Sequence, residues 1–321
     1  METSRRNFLG AIGAAASATA MNAADSGATS RPAPRFYVAA VTPCDTRGKF
    51  DDGAYRDMLA YFKERGADGV LVLGTTGEFP SFSVAERKKV AEVALKHKAG
   101  MQMLIQVGTP NLPETLELLA HAGANGADGI LLMPPFYFKN PSVDGLARYI
   151  SQVLEATRLP VNLYHYPAMS AISISHELLH KLEHYPNLAG IKDSTGNAES
   201  YAANCKEFPK LNMMTGTENN LPAALAAGMG AILVSANIFT KQVAAVFAAH
   251  RAGQDTAEAF KKLREANQVL RVQGAGGAAG IKFAFSGLGI RETYVRPPQV
   301  DLNDQQKSQL RERFAQLKQI V

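Results

Sequence analysis

Short apolar runs of β-type residues alternate with longer helix-type segments along most of the 321-residue chain. The runs show little polar alternation, which is typical of parallel strands that are covered on both faces. Eight such runs, each followed by a helix-type segment, favour a closed (β/α)8 barrel over an open doubly wound sheet. The predicted strands span residues 36–42, 69–74, 101–108, 129–133, 160–166, 188–193, 211–216 and 231–235.

The helix-type pattern continues beyond the last predicted strand and its helix. It covers residues 255–272, 277–288 and 304–321, with no further β-type run between them. We therefore predict an α/β protein: a (β/α)8 TIM barrel over residues 36–252, followed by a C-terminal helical extension over residues 253–321.

The N-terminal residues have the composition of a targeting segment. Arg5 and Arg6 precede Phe8 and Leu9, an alanine- and glycine-rich run follows, and small residues at 18–20 offer a cleavage site. The apolar run is about ten residues long, whereas a membrane span needs about twenty. We predict a twin-arginine export signal over residues 1–24 and a linker over residues 25–35. The expected location is the periplasm or the exterior of a bacterial cell.

The distribution of charge argues against two classes of partner. The formal net charge is +5, and the basic residues are spread along the chain in groups of at most three. Long runs of lysine and arginine, which bind nucleic acid, are absent from the sequence. We therefore expect no nucleic-acid partner, and no membrane partner once the export signal is removed.

One lysine lies inside a segment that otherwise has the composition of a buried strand. Lys192 lies within the apolar run at residues 188–193. Burial disfavours the charged ammonium, and the neutral amine is a nucleophile that forms Schiff bases with ketones and aldehydes. The alternative is that Lys192 lies at the strand end and extends its ammonium into water.

The barrel prediction selects further candidate residues. Active residues of such barrels lie at or just beyond the C-terminal ends of the strands. The residues selected by this rule include a lysine, tyrosines, hydroxyls and a glycine-flanked turn, which is a coherent set for catalysis. They are Thr42, Cys44, residues 74–78, Gly108, Thr109, Phe136, Tyr137, residues 164–166, Lys192, Gly216, Glu218 and Ser235.

Two of these segments have a specific chemical interpretation. In the first, Gly74 and Gly77 flank two hydroxyl residues, Thr75 and Thr76. Such a turn directs backbone N–H groups and hydroxyls at an anion the size of a carboxylate, although a tight turn without a ligand uses the same glycines. In the second, Tyr164 ends the strand before the lysine strand, where a phenol can relay protons beside a Schiff base. The alternative is a core aromatic residue.

A competing motif occurs at residues 176–180, which read H-E-x-x-H on a predicted helix. His176 and His180 suit zinc, Glu177 suits a general base, and His184 extends the spacing. However, this helix lies on the outer wall of a barrel, away from the strand C-termini. Leu178, Leu179 and Leu182 can form its buried face, so we favour a solvated histidine stripe over a metalloprotease site.

Four ordered motifs resemble those of the dihydrodipicolinate synthase / N-acetylneuraminate lyase family. They are GTTGE at 74–78, PFY at 135–137, YHYPA at 164–168 and GIKDSTG at 190–196. The resemblance covers nearly everything from residue 36 to about residue 298. It implies a TIM barrel with added C-terminal helices, usually a tetramer, and a class I aldolase mechanism that uses neither a metal nor another cofactor.

The resemblance also implies roles for individual residues. Lys192 is similar to the Schiff-base lysine and Tyr164 to the proton-transfer tyrosine. Thr75 and Thr76 resemble the hydroxyls that hold the carboxylate of the keto acid. Tyr137 resembles the tyrosine that one subunit contributes to the site of its neighbour.

Other positions bear on the substrate. Ile232 matches a position that contacts bound pyruvate. Met169 stands where the synthases carry an arginine that binds a second carboxylate, and Glu218 and Asn219 stand where sialic-acid lyases carry an Asp-Glu pair. These differences favour a neutral substrate tail, because a carboxylate beside Met169 lacks a cation. Lys139, near Tyr137, is a candidate to supply one.

The sequence therefore predicts a lyase or aldolase that forms a Schiff base between Lys192 and pyruvate or another 2-keto acid. Its partners are a small keto acid and an aldehyde, and a homotetramer is expected. The reaction resembles that of N-acetylneuraminate lyase or of a 2-keto-3-deoxy sugar acid aldolase. The alternatives are a 4-hydroxy-tetrahydrodipicolinate synthase and a keto-acid-binding protein that has lost turnover.

Overall fold

Eight parallel strands pair in sequence order and close into a barrel in the computed structural model. The structure describes residues 33–269, 271 and 276–317, so the predicted export signal and most of the predicted linker lie outside the described residues. The closed barrel confirms the predicted fold class. The strands are β1 (Phe36–Ala39), β2 (Gly69–Val72), β3 (Gln102–Gln106), β4 (Gly129–Leu132), β5 (Val161–His165), β6 (Leu188–Asp193), β7 (Asn212–Thr215) and β8 (Ala231–Leu233).

Several strands end earlier than the apolar runs predicted. The first run extends to Thr42, but β1 ends at Ala39, and β8 ends at Leu233. After β1, residues 40–42 remain buried outside the strand: Val41 donates its N–H to the side chain of Asn237 at 3.1 Å instead of to a neighbouring strand. Apolar composition therefore reports burial beyond the strand end, where the chain turns over the barrel rim.

Helices cover the outside of the barrel. Several begin at side-chain caps, and Ser83 forms a full capping box with Glu86 at the start of the helix after β2. Short 3-10 turns follow β2, β7 and β8, at Phe79–Ser81, Glu218–Asn220 and Ser235–Asn237. The helices are α1 (Asp52–Glu64), α2 (Val84–Lys96), α3 (Leu112–Ala124), α4 (Val143–Glu155), α5 (Pro167–Ser170), α6 (His176–Leu182), α7 (Ala198–Glu207), α8 (Leu221–Ala226) and α9 (Thr240–Arg251).

The predicted C-terminal extension consists of three helices. They are α10 (Ala257–Val269), α11 (Gly277–Ser286) and α12 (Asp304–Leu317). Residue 270, residues 272–275 and residues 318–321, parts of which were predicted to be helical, lie outside the described residues. None of the described helices is long and apolar enough to cross a membrane.

Aromatic contacts join this extension to the barrel. Phe285 of α11 packs edge-on against Tyr61 and Phe62 of α1, with ring centroids 5.7 and 6.0 Å apart. Such edge-to-face contacts add to the free energy of burying the rings. These contacts therefore hold α11 at a fixed place beside the barrel.

Candidate active site

Lys192 and Tyr164 lie opposite each other in the pairing of β5 with β6. Lys192 is only 3% exposed, and its Nζ lies 4.4 Å from the centroid of the Tyr164 ring. No carboxylate of the described chain forms an ion pair with this ammonium group. A buried amine beside a phenol, with no carboxylate paired to it, is placed to act as a nucleophile toward a bound carbonyl compound.

A local irregularity in β5 and β6 sets this alignment. The register shifts after Val161, so that Asn162 pairs with Gly190 and Tyr164 with Lys192. Gly190 is required at this point because a Cβ there would overlap the carbonyl oxygen of Asn212 and approach the side-chain oxygen of Asn162 to 3.0 Å. The bulge and the glycine together direct the lysine and the tyrosine to the same side of the sheet.

The hydroxyl of Thr75 reaches the same pair of residues from β2. Its Oγ1 donates to the Tyr164 hydroxyl at 3.4 Å. The turn that carries it is closed by a hydrogen bond from the N–H of Glu78 to the carbonyl of Thr75 at 3.0 Å. Thr42 supports the turn from β1 by donating to the Gly77 carbonyl at 2.9 Å. The Tyr164 side chain thus contacts Thr75 through its hydroxyl and Lys192 through its ring.

The same turn presents unused hydrogen-bond donors. Within the described residues, the backbone N–H groups of Thr75, Thr76 and Gly77 make no hydrogen bond. Both threonine side chains are partly exposed, and Gly74 is buried beneath them. Successive free N–H groups in a turn form an anion-binding concavity. The free donors lie in the glycine-flanked segment for which an anion-binding turn is predicted.

His165 and Asp193 follow the two central residues on the opposite side of the sheet. Nδ1 of His165 accepts the N–H of Ile174 at 3.0 Å, which ties the segment after α5 back to β5. Burial lowers the pKa of His165, and the charge of Asp193 opposes this effect. Asp193 in turn accepts two hydrogen bonds from Thr195, at 2.8 and 2.6 Å. These contacts shape the rim around Lys192 without entering the path to Tyr164.

Tyr137 and Met169 lie on the rim, and both are exposed. Tyr137 is 72% exposed and its neighbour Phe138 is 73% exposed, while Met169 on α5 is 55% exposed. Lys139 donates to the carbonyl oxygens of Phe136 and Ser170, so its ammonium bridges the loop after β4 and the end of α5. The structure thus brings Lys139 close to the segment that carries Met169.

The remaining predicted substrate contacts lie at the ends of β7 and β8. Ile232 is fully buried within β8. Gly216 follows β7, and its N–H donates to the carbonyl of Asp193 at 2.6 Å. Glu218 and Ser235 line a cleft of about 290 Å³ between the barrel rim and the C-terminal helices. Oγ of Ser235 is buried without a hydrogen-bond partner in the described chain. The cleft therefore offers the Glu218 carboxylate to a polar ligand, while the Ser235 hydroxyl lies beneath its surface, and Lys192, Tyr164 and Thr75 are not among its lining residues.

The histidine motif is placed away from these residues. His176 and His180 are exposed on α6 with Leu178, Leu179 and Leu182 buried, as the outer-wall hypothesis predicted. His176 hydrogen-bonds Asn204, and His180 pairs with Glu183 and Glu207 at 3.2 and 3.4 Å. His184 lies beyond the end of α6, so the helical spacing does not extend to it. No group of three ligating side chains in the described chain could hold a metal ion.

Sequence analysis missed a second buried lysine at the active-site rim. Lys282 is fully buried on α11, and its Nζ lies 2.5 Å from Oε1 of Glu78. The same ammonium donates to the carbonyl of Tyr294 at 2.7 Å. The signal was available, because Lys282 interrupts an apolar run at residues 281–285 just as Lys192 interrupts its strand.

Comparisons with known proteins agree with the family resemblance of the four sequence motifs. The model of the dihydrodipicolinate synthetase family matches residues 33–317. A 4-hydroxy-tetrahydrodipicolinate synthase of Acidiphilium cryptum is 33% identical over 282 residues, which cover 85% of this chain and 94% of that protein. An uncharacterised DapA-like lyase of Chloroflexus aurantiacus is 32% identical over 266 residues, covering 81% of this chain and 88% of the relative.

A solved structure is similar over nearly the same length. YagE, a prophage protein of E. coli K12 that belongs to the dihydrodipicolinic acid synthase family, was determined in complex with pyruvate. It matches with a TM-score of 0.82 at 28% identity and covers 89% of this chain and 98% of its own.

Proposed function

This chain belongs to the dihydrodipicolinate synthetase family and is a lyase, and from this premise we propose that Lys192 forms a Schiff base with pyruvate or a related 2-keto acid. The observation that carries the proposal is the path from Lys192 through Tyr164 to Thr75. A binding protein needs a pocket for a keto acid, but it does not need a relay of hydroxyls beside a buried amine.

The chemistry proceeds in two stages at this amine. Nζ of Lys192 attacks the keto carbon, and the carbonyl oxygen leaves as water to give an iminium ion. In the cleavage direction, the hydroxyl at C4 of the substrate gives up its proton, the iminium accepts the electron pair of the breaking C–C bond, and the aldehyde departs. The resulting enamine is protonated on carbon, and water hydrolyses the iminium to pyruvate and the free amine. In the condensation direction, the pyruvate iminium loses a methyl proton to become the enamine, which attacks the aldehyde, whose oxygen takes up a proton, and water then releases the product from Lys192.

Tyr164 is the group suited to move that proton. Its hydroxyl accepts from Thr75 at 3.4 Å and its ring lies over Lys192. The phenol therefore lies between a hydroxyl that can renew its proton and the position of the reacting oxygen. General acid–base catalysis by a positioned group of this kind accelerates reactions by about 10²- to 10⁴-fold.

The turn after β2 is suited to the carboxylate of the keto acid. Its free N–H groups and the hydroxyl of Thr76 supply donors in place of a charged side chain. Ile232 in β8 supplies an apolar contact for the methyl end of pyruvate. Together these groups orient the keto carbon toward Lys192.

Two features favour a neutral, hydroxylated substrate tail. Met169 offers a thioether where a carboxylate would need a cation. Glu218, which follows β7, offers a partly exposed carboxylate. A carboxylate accepts hydrogen bonds from hydroxyls and repels a second anion. We propose a 2-keto-3-deoxy sugar acid or an acylated amino-sugar acid as substrate class.

A second candidate is a 4-hydroxy-tetrahydrodipicolinate synthase, whose aldehyde substrate carries a carboxylate. Lys139 favours it, because its ammonium lies beside the end of α5 that carries Met169. The similarity to the synthase of Acidiphilium cryptum also supports it. The deciding quantity is kcat/KM for pyruvate plus aspartate semialdehyde, compared with cleavage of sialic acid and of 2-keto-3-deoxygluconate. Efficient condensation with the semialdehyde would overturn the substrate class that we propose.

The Schiff base itself is tested by borohydride reduction with pyruvate, followed by peptide mass mapping. We expect a single adduct, on Lys192, in the unaltered protein. The matched control is Lys192→Met, which keeps the size of the side chain and should give no adduct. An unaltered protein whose Lys192 stays unmodified at saturating pyruvate would remove the proposal.

Assembly and location are part of the same proposal. The exposed rings of Tyr137 and Phe138 suit contact with a second copy of the chain, and a homotetramer is the state that we propose. Two inactive variants, Lys192→Met and Tyr137→Phe, should regain part of the activity when mixed if the tyrosine acts across an interface. Sedimentation gives the oligomeric state. Twin-arginine export to the periplasm or beyond is tested by fractionating a bacterium that makes the full chain. The substitutions Arg5→Lys and Arg6→Lys should abolish the transport.

A further inference from the structure

A buried ion pair joins the C-terminal extension to the anion-binding turn. Lys282 on α11 is 0% exposed, and Glu78, the last residue of the turn, is 3% exposed. Their charged atoms, Nζ and Oε1, lie 2.5 Å apart. The two residues are separated by about two hundred positions in sequence, so the pair fixes one end of the chain against the active-site rim.

Glu78 is constrained on all sides. Its backbone has φ of +56°, a left-handed conformation that non-glycine residues rarely adopt. Its Oε2 accepts the N–H of Arg296 at 2.8 Å, while its own N–H closes the turn on the carbonyl of Thr75. The conformation of Glu78 therefore fixes the position of the turn that carries Thr75 and Thr76.

The other side of the pair is equally fixed. Lys282 donates to the Tyr294 carbonyl at 2.7 Å, and Phe285, three residues along α11, packs against Tyr61 and Phe62 of the barrel. Arg296 binds the rim a second time through Glu86 and the carbonyl of Ser81, at 2.6 and 2.8 Å. The extension thus offers a rigid support for Glu78, because Lys282 and Arg296 each make more than one hydrogen bond or ion pair.

Stability alone is a weak reason for such a pair. Two charges lose their hydration on burial, and replacing a buried pair by apolar groups of similar volume is often neutral or stabilising. What an ion pair adds is a defined geometry. Here that geometry is applied at the residue that follows the free N–H groups of Thr75, Thr76 and Gly77.

We propose that Lys282 is a positioning residue for the lyase reaction: through Glu78 it holds the turn after β2 in the conformation that binds the substrate carboxylate and keeps Thr75 on Tyr164. The inference rests on the proposed function, since it assigns that turn to the carboxylate of the keto acid. Lys282 acts through Glu78 and does not itself touch the substrate.

The test removes the charges of both partners together. The double variant Lys282→Met with Glu78→Gln is neutral, nearly conserves volume and avoids a lone buried charge. We expect it to fold and to give a borohydride adduct on Lys192 at saturating pyruvate. The KM for pyruvate should rise about tenfold or more, because a misplaced binding group costs that much. Amide hydrogen exchange in residues 74–79 should become faster at Glu78 and Phe79, whose N–H groups close the turn on the carbonyls of Thr75 and Gly74.

The chain offers a matched control in the same extension. Lys307 and Glu292 form an ion pair at 2.6 Å that does not contact the turn. The variant Lys307→Met with Glu292→Gln makes the same change of charge and should leave the KM for pyruvate and exchange in residues 74–79 unchanged. If the double variant does not fold, Lys282→Gln with Glu78→Gln takes its place, because it also leaves no lone buried charge and keeps a polar group at each position; the same rise in KM and in exchange is expected from it.

The outcomes separate this inference from the function on which it rests. A folded variant whose KM and exchange rates equal those of the control would overturn the role of Lys282. If the unaltered protein gave no borohydride adduct, the Schiff-base proposal would fail. Exchange in residues 74–79 would still show whether the ion pair fixes the turn.

Discussion

The rim of the barrel and its outer wall carry the same kinds of side chain in opposite surroundings. At the rim, Lys192 is buried, has no ionic partner in the described chain, and faces the ring of Tyr164. On the outer wall, His180 of α6 is exposed and pairs with Glu183 and Glu207. Solvent and nearby carboxylates satisfy the histidine, while the lysine has only an aromatic face.

This difference shows that the position of a residue in the fold indicates its chemistry better than the specificity of the sequence motif that contains it. The H-E-x-x-H pattern is a well-known zinc signature, yet its two imidazoles bind separate neighbours, Asn204 for one and two glutamates for the other. A single lysine in an apolar run is a much weaker pattern. It gains chemical meaning because β5 and β6 align it with Tyr164 at the catalytic end of the barrel.

The largest expected effect is that of Lys192→Met. It removes the nucleophile, so kcat should fall by about 10³-fold or more. The free energy of unfolding should stay the same or rise, because an apolar side chain replaces a buried amine. Steady-state kinetics and urea unfolding measure the two quantities. Substantial residual turnover, or a marked loss of stability, would show that Lys192 has a structural role.

Tyr164→Phe should have the next largest effect. It keeps the ring over Lys192 and removes the hydroxyl that accepts from Thr75. We expect kcat to fall by about 10²- to 10⁴-fold while the borohydride adduct on Lys192 still forms. Thr75→Val, which interrupts the same path one step further away, should lower kcat less. A Tyr164→Phe variant with normal kcat would separate the tyrosine from proton transfer.

The fold was predictable because the length and the apolar composition of each segment, which indicate strand or helix and burial, can be read from the sequence. Apolar runs located all eight strands, but their ends were placed too late where buried residues such as Val41 bond to side chains beyond the strand. The short helix α5 was not predicted, since four residues give no period to detect. Strand pairing itself followed from order along the chain.

The site was predictable only in part, for a related reason. Tyr164 and Lys192 lie near the ends of the neighbouring strands β5 and β6, Thr75 follows β2, and the barrel rule brings such positions together at one end of the barrel. Glu78 and Lys282 meet through the packing of the C-terminal extension, and no local pattern specifies that contact. Likewise the cleft that Glu218 and Ser235 share with the last helices depends on tertiary packing.

A smaller effect, on the pH dependence of the free energy of unfolding, is expected from His165, which follows Tyr164 at the rim. Burial lowers its pKa, with Asp193 opposing, so the folded protein holds the imidazole neutral while Nδ1 accepts the N–H of Ile174. The unfolded chain has the ordinary value near 6.5 and binds the proton more readily. The stabilising contribution is therefore complete above about pH 6.5 and declines as pH falls toward the folded pKa, by at most about 1.4 kcal/mol for each pH unit.

The substitution His165→Asn isolates this effect. An asparagine oxygen can still accept the N–H of Ile174, but it does not titrate in this range. Urea unfolding at pH 8 and pH 5.5 should therefore show a smaller loss of stability on acidification in the variant than in the unaltered protein. Equal losses in the two proteins would assign the acid sensitivity to other groups.

The smallest effect is expected on the outer wall, where His176→Gln and His180→Gln should change kcat by less than about twofold. The contacts of His180 with Glu183 and Glu207 are exposed, and surface pairs of this kind contribute about 0–1 kcal/mol because water and salt screen them. EDTA should leave turnover unchanged, because the reaction at Lys192 takes its electrophile from the iminium. Zinc titration by calorimetry of the unaltered protein and the double variant should give the same weak heats. Loss of activity in EDTA together with tight zinc binding that disappears in the variant would reverse the comparison, since the outer wall would then carry chemistry that its exposure and its partners do not predict.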